Sequence, residues 1–345
     1  MQPIKAYFRE AIKRDASDLH LVGSTNPILR IEGVLQNIED TVLENKLLQT
    51  GIYSIITKEQ IAKFEQDKEL DFGFSVDDVR FRVNLHQQQE NIALTARLIP
   101  KDIPTPEALH FESSLLGFSK LVDGLVLITG PTGCGKSTTI ASMIEEINKT
   151  RRAHIISIED PIEFVFSNKQ SLIEQREVGT DTKSFANALK YVLRQDPNVI
   201  FVGEMRDPET IATVITAAET GHLVFSTLHT GSAAEAVERI VDVFEGSKQK
   251  QVLIQLSAVL RGVVAQQLIP AKDGGRVPAR EIMVNTAGVA NLIRENNIPQ
   301  IKSAIQTGAK EGMVTMENSV RQLVKEGLID EKEAANRTGI HRKVD

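Results

Sequence analysis

The sequence has little of the material that cross-links proteins, cages metals or stacks against nucleobases. Its 345 residues include one cysteine, Cys134, no tryptophan and only 5% aromatic residues. A single cysteine excludes an intrachain disulfide and a four-cysteine zinc site, and it is typical of a protein of the reducing cytoplasm. So few aromatic side chains are also unfavourable for a channel lined with base-stacking platforms.

Long hydrophobic runs and an excess of positive charge are missing as well. No stretch of 18 or more uncharged apolar residues occurs, so we expect no transmembrane segment. Charged residues interrupt positions 1–10, which is unlike a signal peptide. The 40 basic and 46 acidic side chains give a formal net charge of −6, which provides no general attraction to nucleic acid. We therefore expect a cytoplasmic protein without a nucleic-acid partner.

The N-terminal part of the chain mixes helical and strand periodicities. Apolar residues recur at helical spacing near the start and again over 58–66. Patterns typical of strands occur at 17–22, 28–35, 79–84 and 92–99. Three prolines then fall within seven residues, and because proline removes a backbone donor and fixes φ, we predict a linker over 100–113. Residues 1–99 are thus expected to form a small α/β domain.

From residue 114 onward, apolar strands alternate with helices. Continuous apolar runs predict strands buried on both faces, at 125–129, 155–158, 199–202 and 223–227. Strands separated by helices predict parallel βαβ units and a mainly parallel sheet. The tail from about 280 to 345 carries apolar residues at helical spacing, so we expect a helical C-terminal subdomain there. The fold class predicted for 114–345 is therefore α/β.

One segment carries a complete phosphate-binding motif. It follows a predicted buried strand, precedes a predicted helix and fits the pattern G-x-x-x-x-G-K-[ST]. Glycines let backbone N–H groups turn towards phosphate oxygens, and the helix adds the positive end of its dipole. Lys136 is expected to bridge the β- and γ-phosphates of ATP, and Ser137 to bind Mg²⁺. The predicted nucleotide-binding residues are Gly130, Pro131, Thr132, Gly133, Cys134, Gly135, Lys136, Ser137 and Thr138.

Cys134 has two interpretations within this loop. The first is that the position only requires a small residue. The second is that the helix N-terminus and Lys136 lower the pKa of the thiol and make it reactive.

Acids and histidines follow the other buried strands, where ligands of open parallel sheets bind. Glu204 is placed to order Mg²⁺ and its waters, and Glu163 to align the water that attacks the γ-phosphate. His229 is placed to sense the γ-phosphate by hydrogen bonding. The alternative for Glu163 and Glu204 is an acid on the surface, and for His229 it is a purely structural hydrogen bond. For His222, phosphate sensing and a structural role both stay open.

Four segments resemble secretion-superfamily ATPases of the GspE/PilT type. They are similar to the Walker A motif, Asp box, Walker B motif and His box of that superfamily: Gly130–Thr138, Ile158–Val165, Val202–Asp207 and Ala218–His229. Within the superfamily, the chain resembles the retraction ATPases of type IV pili nearly end to end. The resemblance implies a PAS-like N-terminal domain, a RecA-like P-loop ATPase domain, and ATP with Mg²⁺ as cofactors.

The resemblance also implies partners and further site residues. It implies a homohexamer in which nucleotide-driven domain rotation acts on an inner-membrane platform protein, so that pilin leaves the fibre and the cell twitches. The chain would then be a peripheral protein at the inner membrane face. The catalytic glutamates of the family map to Glu163 and Glu204. Arginines that approach the γ-phosphate map to Arg82 and Arg97, for which an exposed strand charge or an ion pair is the alternative.

One departure from the family concerns the direction of work. The retraction signature Ala-Ile-Arg-Asn-Leu-Ile-Arg-Glu reads Gly-Val-Ala-Asn-Leu-Ile-Arg-Glu at 288–295, with Ala290 in place of the first arginine. An accessory retraction ATPase and an assembly or secretion ATPase stay as alternatives, although the latter commonly carry a four-cysteine zinc insertion. A nucleic-acid translocase, with basic runs only at 151–152 and 341–343, and a nucleotide-binding scaffold without turnover are more distant alternatives.

Overall fold

Two β-sheets organise the chain, one in each of two units. The structure is a computed structural model that describes residues 3–100 and 102–338, with side chains as far as residue 335. The first unit comprises Met1–Asp102 and Pro161–Val165, and the second comprises Ile103–Asp160 and Phe166–Asp345. The inclusion of 161–165 in the first unit was not predicted from the sequence.

The first unit contains a six-stranded antiparallel sheet in the order β3-β2-β1-β6-β5-β4. Its elements are α1 (Ile4–Lys13), β1 (Asp18–Val22), β2 (Ile28–Ile31), β3 (Val34–Asn37), α2 (Asn45–Tyr53), α3 (Lys58–Asp67), β4 (Glu69–Val76), β5 (Val79–Gln88) and β6 (Asn91–Leu98). The predicted strands and the helix over 58–66 are confirmed, whereas α2 and β4 were not predicted.

Alternation along the strands gives this sheet one apolar and one polar face. On β5, Phe81 and Val83 are fully buried, while Arg82 between them is exposed. The buried side chains join the core formed with the helices, in which Phe8 of α1 packs edge-on against Phe74 and Phe81, with ring centroids 5.0 and 4.9 Å away. Arg82 therefore lies on the face that turns away from this core.

The second unit contains a seven-stranded sheet in the order β13-β12-β7-β11-β10-β8-β9. Its elements are α4 (Ser113–Phe118), β7 (Gly124–Thr129), α5 (Lys136–Thr150), β8 (His154–Glu159), β9 (Leu172–Glu177), α6 (Phe185–Val192), β10 (Val199–Val202), α7 (Pro208–Glu219), β11 (Leu223–Leu228), α8 (Ala233–Asp242), α9 (Ser247–Val259), β12 (Leu260–Pro270), β13 (Arg276–Val284), α10 (Ala287–Arg294), α11 (Ile301–Thr307), α12 (Met316–Lys325) and α13 (Glu331–Thr338). The strands pair in parallel except for β13, which is antiparallel to β12.

Helices cover both faces of this sheet, which explains the apolar runs. In β7, Leu125 and Leu127 belong to the core that includes residues of α7, α8 and α9. The intervening Val126 and Ile128 belong to a separate core with residues of α4 and α5. Successive side chains of the strand therefore enter opposite cores, and neither face is left polar. The predicted α/β class with a mainly parallel sheet is confirmed.

The C-terminal tail begins as a strand and not as a helix. The expectation of helix from about residue 280 was wrong for 280–284, because β13 pairs with β12 along its whole length, from Arg276 to Val284. Gly274 and Gly275, with φ of +91° and +73°, form the turn between the two strands. Helices follow only from Ala287 onward.

The chain between Ile103 and Glu112 forms a turn and belongs to the second unit. The backbone amide of Leu109 donates to the carbonyl of Thr105 at 3.1 Å, that of His110 to Glu107 at 3.0 Å and that of Phe111 to Pro106 at 2.9 Å. This segment is therefore ordered, although it contains neither helix nor strand.

The sequence contains two basic runs, at 151–152 and at 341–343. In the first, Arg151 donates from Nη1 to the carbonyl of Leu121 at 2.7 Å, so this guanidinium is engaged within the second unit. The run at 341–343 lies outside the described residues.

Candidate active site

The phosphate loop joins β7 to α5 through a backbone that requires glycine. Gly130 has a φ of +144°, and a Cβ at this position would lie 2.3 Å from the carbonyl oxygen of Gln266 and 2.7 Å from Sγ of Cys134. Gly135, which caps α5, has a φ of +85°. Gly130 has no room for a side chain and Gly135 adopts left-handed backbone directly before α5, so local geometry explains these two glycines of the motif.

Lys136 closes this loop on itself. Its side chain is 8% exposed, and Nζ donates to the carbonyls of Gly130 and Pro131 at 2.8 and 3.1 Å. Ser137 and Thr138 are half-buried in the first turn of α5. The ammonium and the helix N-terminus thus converge on the same small concave stretch of backbone, which is the geometry that binds phosphate.

Cys134 is buried, and the hypothesis of an activated thiol is wrong. The residue is 4% exposed, and its carbonyl accepts a hydrogen bond from Nε2 of Gln266 at 2.7 Å. Burial raises the pKa of the Cys134 thiol, and the nearby Lys136 ammonium offsets only part of that rise. The interpretation of Cys134 as a small residue in a tight loop is the one that remains.

The strands that follow the loop end at the same edge of the sheet. Leu228, at the end of β11, pairs with Thr129 at the end of β7, and Ser226 of β11 pairs with Val202 at the end of β10. Because the strands are parallel, the segments that leave their carboxyl ends lie side by side. The phosphate loop, Glu204 and His229 all follow these strand ends.

Glu204 and His229 are in direct proximity. Oε2 of Glu204 lies 3.4 Å from Nε2 of His229 and forms an ion pair with Arg206, whose Nε is 2.8 Å away. The Glu204 side chain is 19% exposed, whereas those of His229 and Arg206 are 48% and 77% exposed. A partly buried carboxylate therefore lies at the strand edge with two groups that can donate to it. Arg206 was not predicted, and its only sequence signal is its place two residues after Glu204.

Hydroxyl groups hold the backbone around these side chains. The Thr129 hydroxyl accepts from the amide of Thr230 at 2.9 Å and lies 2.7 Å from the Thr230 carbonyl oxygen. The Thr227 hydroxyl donates to the carbonyl of Gly203 at 2.5 Å. These bonds tie the residues next to His229 and Glu204 to the neighbouring strands, so the two side chains project from fixed backbone.

His222 has a structural environment. Its Nδ1 lies 2.9 Å from the carbonyl oxygen of Ala217 and 3.1 Å from the hydroxyl of Thr220, both at the end of α7. The residue therefore terminates a helix, and the structural interpretation is favoured over phosphate sensing.

Glu163 belongs to a different unit from Lys136 and Glu204. It is exposed and lies in Pro161–Val165, which is part of the first unit. Glu159, four residues earlier, ends β8 in the second unit, is 5% exposed and accepts from the Ser157 hydroxyl at 2.6 Å. The chain thus passes from one unit to the other within the predicted Asp box, and the catalytic role of Glu163 stays a prediction.

Arg82 and Arg97 face each other on the polar side of the first sheet. They are paired across β5 and β6, and Arg97 is paired in turn with Asp18 of β1. Nε of Arg97 donates to Oδ1 of Asp18 at 2.9 Å, and Arg30 lies 3.9 Å from the same carboxylate. Arg97 is thus ion-paired, as the alternative interpretation expects, and it is 73% exposed, while the approach of Arg82 and Arg97 to a γ-phosphate stays a prediction. Opposed like charges destabilise a sheet, and the Asp18 carboxylate beside Arg97 offsets part of this repulsion.

The Asp18 carboxylate predicts a pH dependence of stability. Burial favours its neutral form, but hydrogen bonds from Arg97 and Ser17 outweigh burial and lower the pKa of Asp18. A carboxyl whose pKa is lowered by folding stabilises the protein above its unfolded pKa of about 3.9, and this stabilisation is lost as the pH falls through the lower folded value. Asp18→Asn is therefore expected to unfold more easily than wild type at pH 7, with the difference shrinking below about pH 4.

Thermal unfolding measured from pH 7 to pH 3 checks this expectation. Asp15→Asn is the matched control, since Asp15 is an exposed acid of the same unit. A difference between Asp18→Asn and wild type that stays constant across this range would contradict the assignment.

Comparisons with known proteins agree with this geometry. A family model described as "Type II/IV secretion system protein" matches residues 1–339. The chain is 46% identical over 329 residues to the "Type IV pilus retractation ATPase PilT" of Pseudomonas aeruginosa, covering 95% of this chain and 96% of that one. It is 47% identical over 313 residues to a "Twitching motility protein" of Neisseria gonorrhoeae, covering 90% and 84%.

A solved structure is similar over the whole chain. The crystal structure of the pilus retraction motor PilT with bound ADP matches with a TM-score of 0.91 and 44% identity, covering 100% of this chain and 99% of that one.

Proposed function

Since the chain belongs to the Type II/IV secretion system protein family and is an ATPase, we propose that it is a motor that hydrolyses ATP to retract type IV pili. The observation that carries this proposal is the near full-length similarity to a pilus retraction ATPase, combined with a complete phosphate loop at the carboxyl edge of the second sheet. Retraction of this kind would drive twitching motility.

The phosphate loop would bind the triphosphate. Lys136 would exchange the carbonyls of Gly130 and Pro131 for oxygens of the β- and γ-phosphates, because charged acceptors form the stronger hydrogen bonds with an ammonium. Backbone N–H groups of the loop and of the first turn of α5 would contact the remaining phosphate oxygens.

The side chains at this edge suit Mg²⁺ bound with the nucleotide. The Ser137 hydroxyl is half-buried at the start of α5, and the Glu204 carboxylate is partly buried after β10 at the same edge of the sheet, so both offer the oxygen donors that Mg²⁺ prefers. Across the described residues, no group of three or more His, Cys, Asp or Glu side chains is arranged to hold a metal. Phosphate oxygens and water would therefore complete the coordination, and the ion would neutralise phosphate charge.

Hydrolysis would use acids from both units. Glu204, held between Arg206 and His229, would order water at the metal, and His229 would respond to the γ-phosphate through this carboxylate. Glu163, Arg82 and Arg97 belong to the first unit, so we propose that movement of that unit supplies them to the nucleotide. This division supports a motor in which each nucleotide step is coupled to a domain rotation.

The assembly and the domain assignment are further parts of the proposal. We propose a PAS-like domain over 1–99, a linker over 100–113 and a RecA-like domain over 114–345, assembled into a homohexamer that acts on an inner-membrane platform protein. No helix between residues 3 and 338, residue 101 aside, is both long and apolar enough to cross a bilayer. We propose peripheral binding at the inner face of the membrane.

The altered signature lies on α10. Val289 and Ile293 are buried and anchor this helix, whereas Arg294 is exposed and Ala290 is half-buried. Positions 290 and 294 are one turn apart on the same side of the helix, so an arginine at 290 would neighbour Arg294. This placement makes Ala290→Arg a specific test of the retraction signature.

A retraction assay tests the proposed function. Cells that lack their own retraction ATPase gene would be complemented with the wild-type chain, with Ala290→Arg and with Lys136→Ala. We expect wild type to restore twitching and Lys136→Ala not to. Restoration by Ala290→Arg alone would favour the accessory alternative, and failure of both proteins to retract pili while they hydrolyse ATP would contradict the proposal.

A further inference from the structure

A buried glutamine of β12 holds the phosphate loop from behind. Gln266 is 2% exposed, and its Nε2 donates to the carbonyl of Cys134 at 2.7 Å. Its Oε1 accepts from the Thr139 hydroxyl at 2.8 Å, and its backbone carbonyl lies against Gly130. One residue therefore contacts the start and the end of the loop and the first turns of α5.

The same glutamine is bonded to a fully buried arginine of β13. Arg280 is 0% exposed, and its Nε donates to Oε1 of Gln266 at 2.9 Å. Oε1 thus has two donors, Thr139 and Arg280, while the amide nitrogen has the Cys134 carbonyl as acceptor. Both polar atoms of the Gln266 side chain are hydrogen-bonded. A movement of its amide would therefore strain or displace the bond to Arg280.

The far end of Arg280 holds the segment that leads to the first unit. Its Nη2 donates to the carbonyl of Leu109 at 2.9 Å, and its Nη1 to the carbonyl of His110 at 3.0 Å and to Oε2 of Glu112 at 3.1 Å. The guanidinium also lies over the Phe111 ring, 5.2 Å from its centroid. In sequence, residues 103–112 directly follow the N-terminal unit.

We propose that Gln266 and Arg280 are positioning residues that couple the phosphate loop to the 103–112 segment, so that nucleotide binding changes how tightly this segment is held. The proposal rests on the proposed function only in that the loop binds nucleotide. Nucleotide would shift the loop carbonyls away from Lys136, the Gln266 amide would follow the Cys134 carbonyl, and Arg280 would transmit the change to Leu109 and His110.

Reciprocity makes this coupling measurable from either end. If nucleotide shifts the equilibrium between held and released 103–112 by some factor, then release of that segment must change nucleotide affinity by the same factor. A purely structural clamp would lower stability without producing either effect. Glu112→Gln is the informative change, because it removes the charge that faces Arg280 and keeps the shape of the side chain.

The experiment measures ADP binding and amide hydrogen exchange on the full chain. In wild type we expect ADP to change the exchange of the amides of Leu109, His110 and Phe111 by about threefold or more, and we expect Gln266→Ala to abolish this response. We expect Glu112→Gln to change the Kd for ADP by roughly fivefold, the lower end of typical couplings. Glu107→Gln is the matched control, since Glu107 is an exposed acid of the same segment, and it should leave both readouts unchanged.

Arg280→Lys provides a second test that keeps the buried positive charge. The lysine lacks the planar guanidinium that donates to Gln266 and to the carbonyls of Leu109 and His110 at the same time. The response of the 103–112 segment to ADP should therefore be lost. Wild type that binds ADP without any change in exchange over 105–112 would overturn the coupling. Wild type that does not bind ADP would instead contradict the proposed function.

Discussion

Lys136→Ala is expected to lose most of its nucleotide affinity. The ammonium is buried in the loop and already donates two hydrogen bonds, which would pass to the β- and γ-phosphates. Hydrogen bonds to charged groups contribute about 1.5–3 kcal/mol each, and about 1.4 kcal/mol corresponds to a tenfold change in affinity. We therefore expect the Kd for ATP to rise by roughly 100-fold or more, measured by titration with a fluorescent ATP analogue.

The matched control for this change is Lys149→Ala. Lys149 lies in the last turn of the same helix, α5, where its Nζ is 3.8 Å from Glu145 and its side chain is 40% exposed. The Lys149→Ala substitution also removes one positive charge from α5, but at the end of the helix opposite the phosphate loop. Normal binding by Lys136→Ala, or an equal loss in Lys149→Ala, would show that the phosphates are not held by this loop.

The phosphate loop was predictable because its signals are local. The glycines, the lysine and the hydroxyl lie within nine residues, and the apolar run before them and the helix after them are continuous in sequence. The bounds of α7 were predictable for the same reason. Asp207 accepts from the amide of Thr210 at 2.8 Å, Pro208 is the first helical residue, and Gly221 follows the helix with a φ of +94°.

The buried polar network behind the loop was not predictable from the sequence. Gln266 is followed by Gln267 and Arg280 by Glu281, as in a strand with polar positions, and nothing local shows that Arg280 is buried. Leu109 and His110, whose carbonyls accept from Arg280, lie 171 and 170 positions before it in the chain. Only the pairing of β12 with β13, and the return of the 103–112 segment to the second unit, brings these groups together.

The site residues of the first unit were predictable only in part. Arg82 and Arg97 were mapped by resemblance, but their direct opposition depends on the register of β5 and β6. The choice between the two interpretations of Cys134 has a related cause, because the direction of the shift in the thiol pKa depends on whether burial or the Lys136 charge dominates. Sequence shows both influences, and only the packing around the thiol shows that burial wins.

Glu204→Gln and Glu163→Gln are expected to bind ATP and to lose nearly all hydrolysis. Amide oxygens keep the shape of each side chain but neither order a metal-bound water as strongly nor accept its proton. A positioned general base contributes about 10²–10⁴-fold, so we expect kcat to fall by this factor with the Kd for ATP changed by less than about threefold. Phosphate release and nucleotide titration measure the two quantities separately.

Glu209→Gln is the control for both variants. Glu209 is an exposed acid in the first turn of α7, five positions after Glu204, so the change removes a nearby charge without touching the strand edge. Near-normal turnover by Glu163→Gln with lost turnover by Glu204→Gln would assign the chemistry to the second unit alone, and it would remove the role proposed for Glu163. Near-normal turnover by both variants would show that neither glutamate has a catalytic part. Loss in both variants, with ATP still bound, is the result that catalytic roles for both glutamates require.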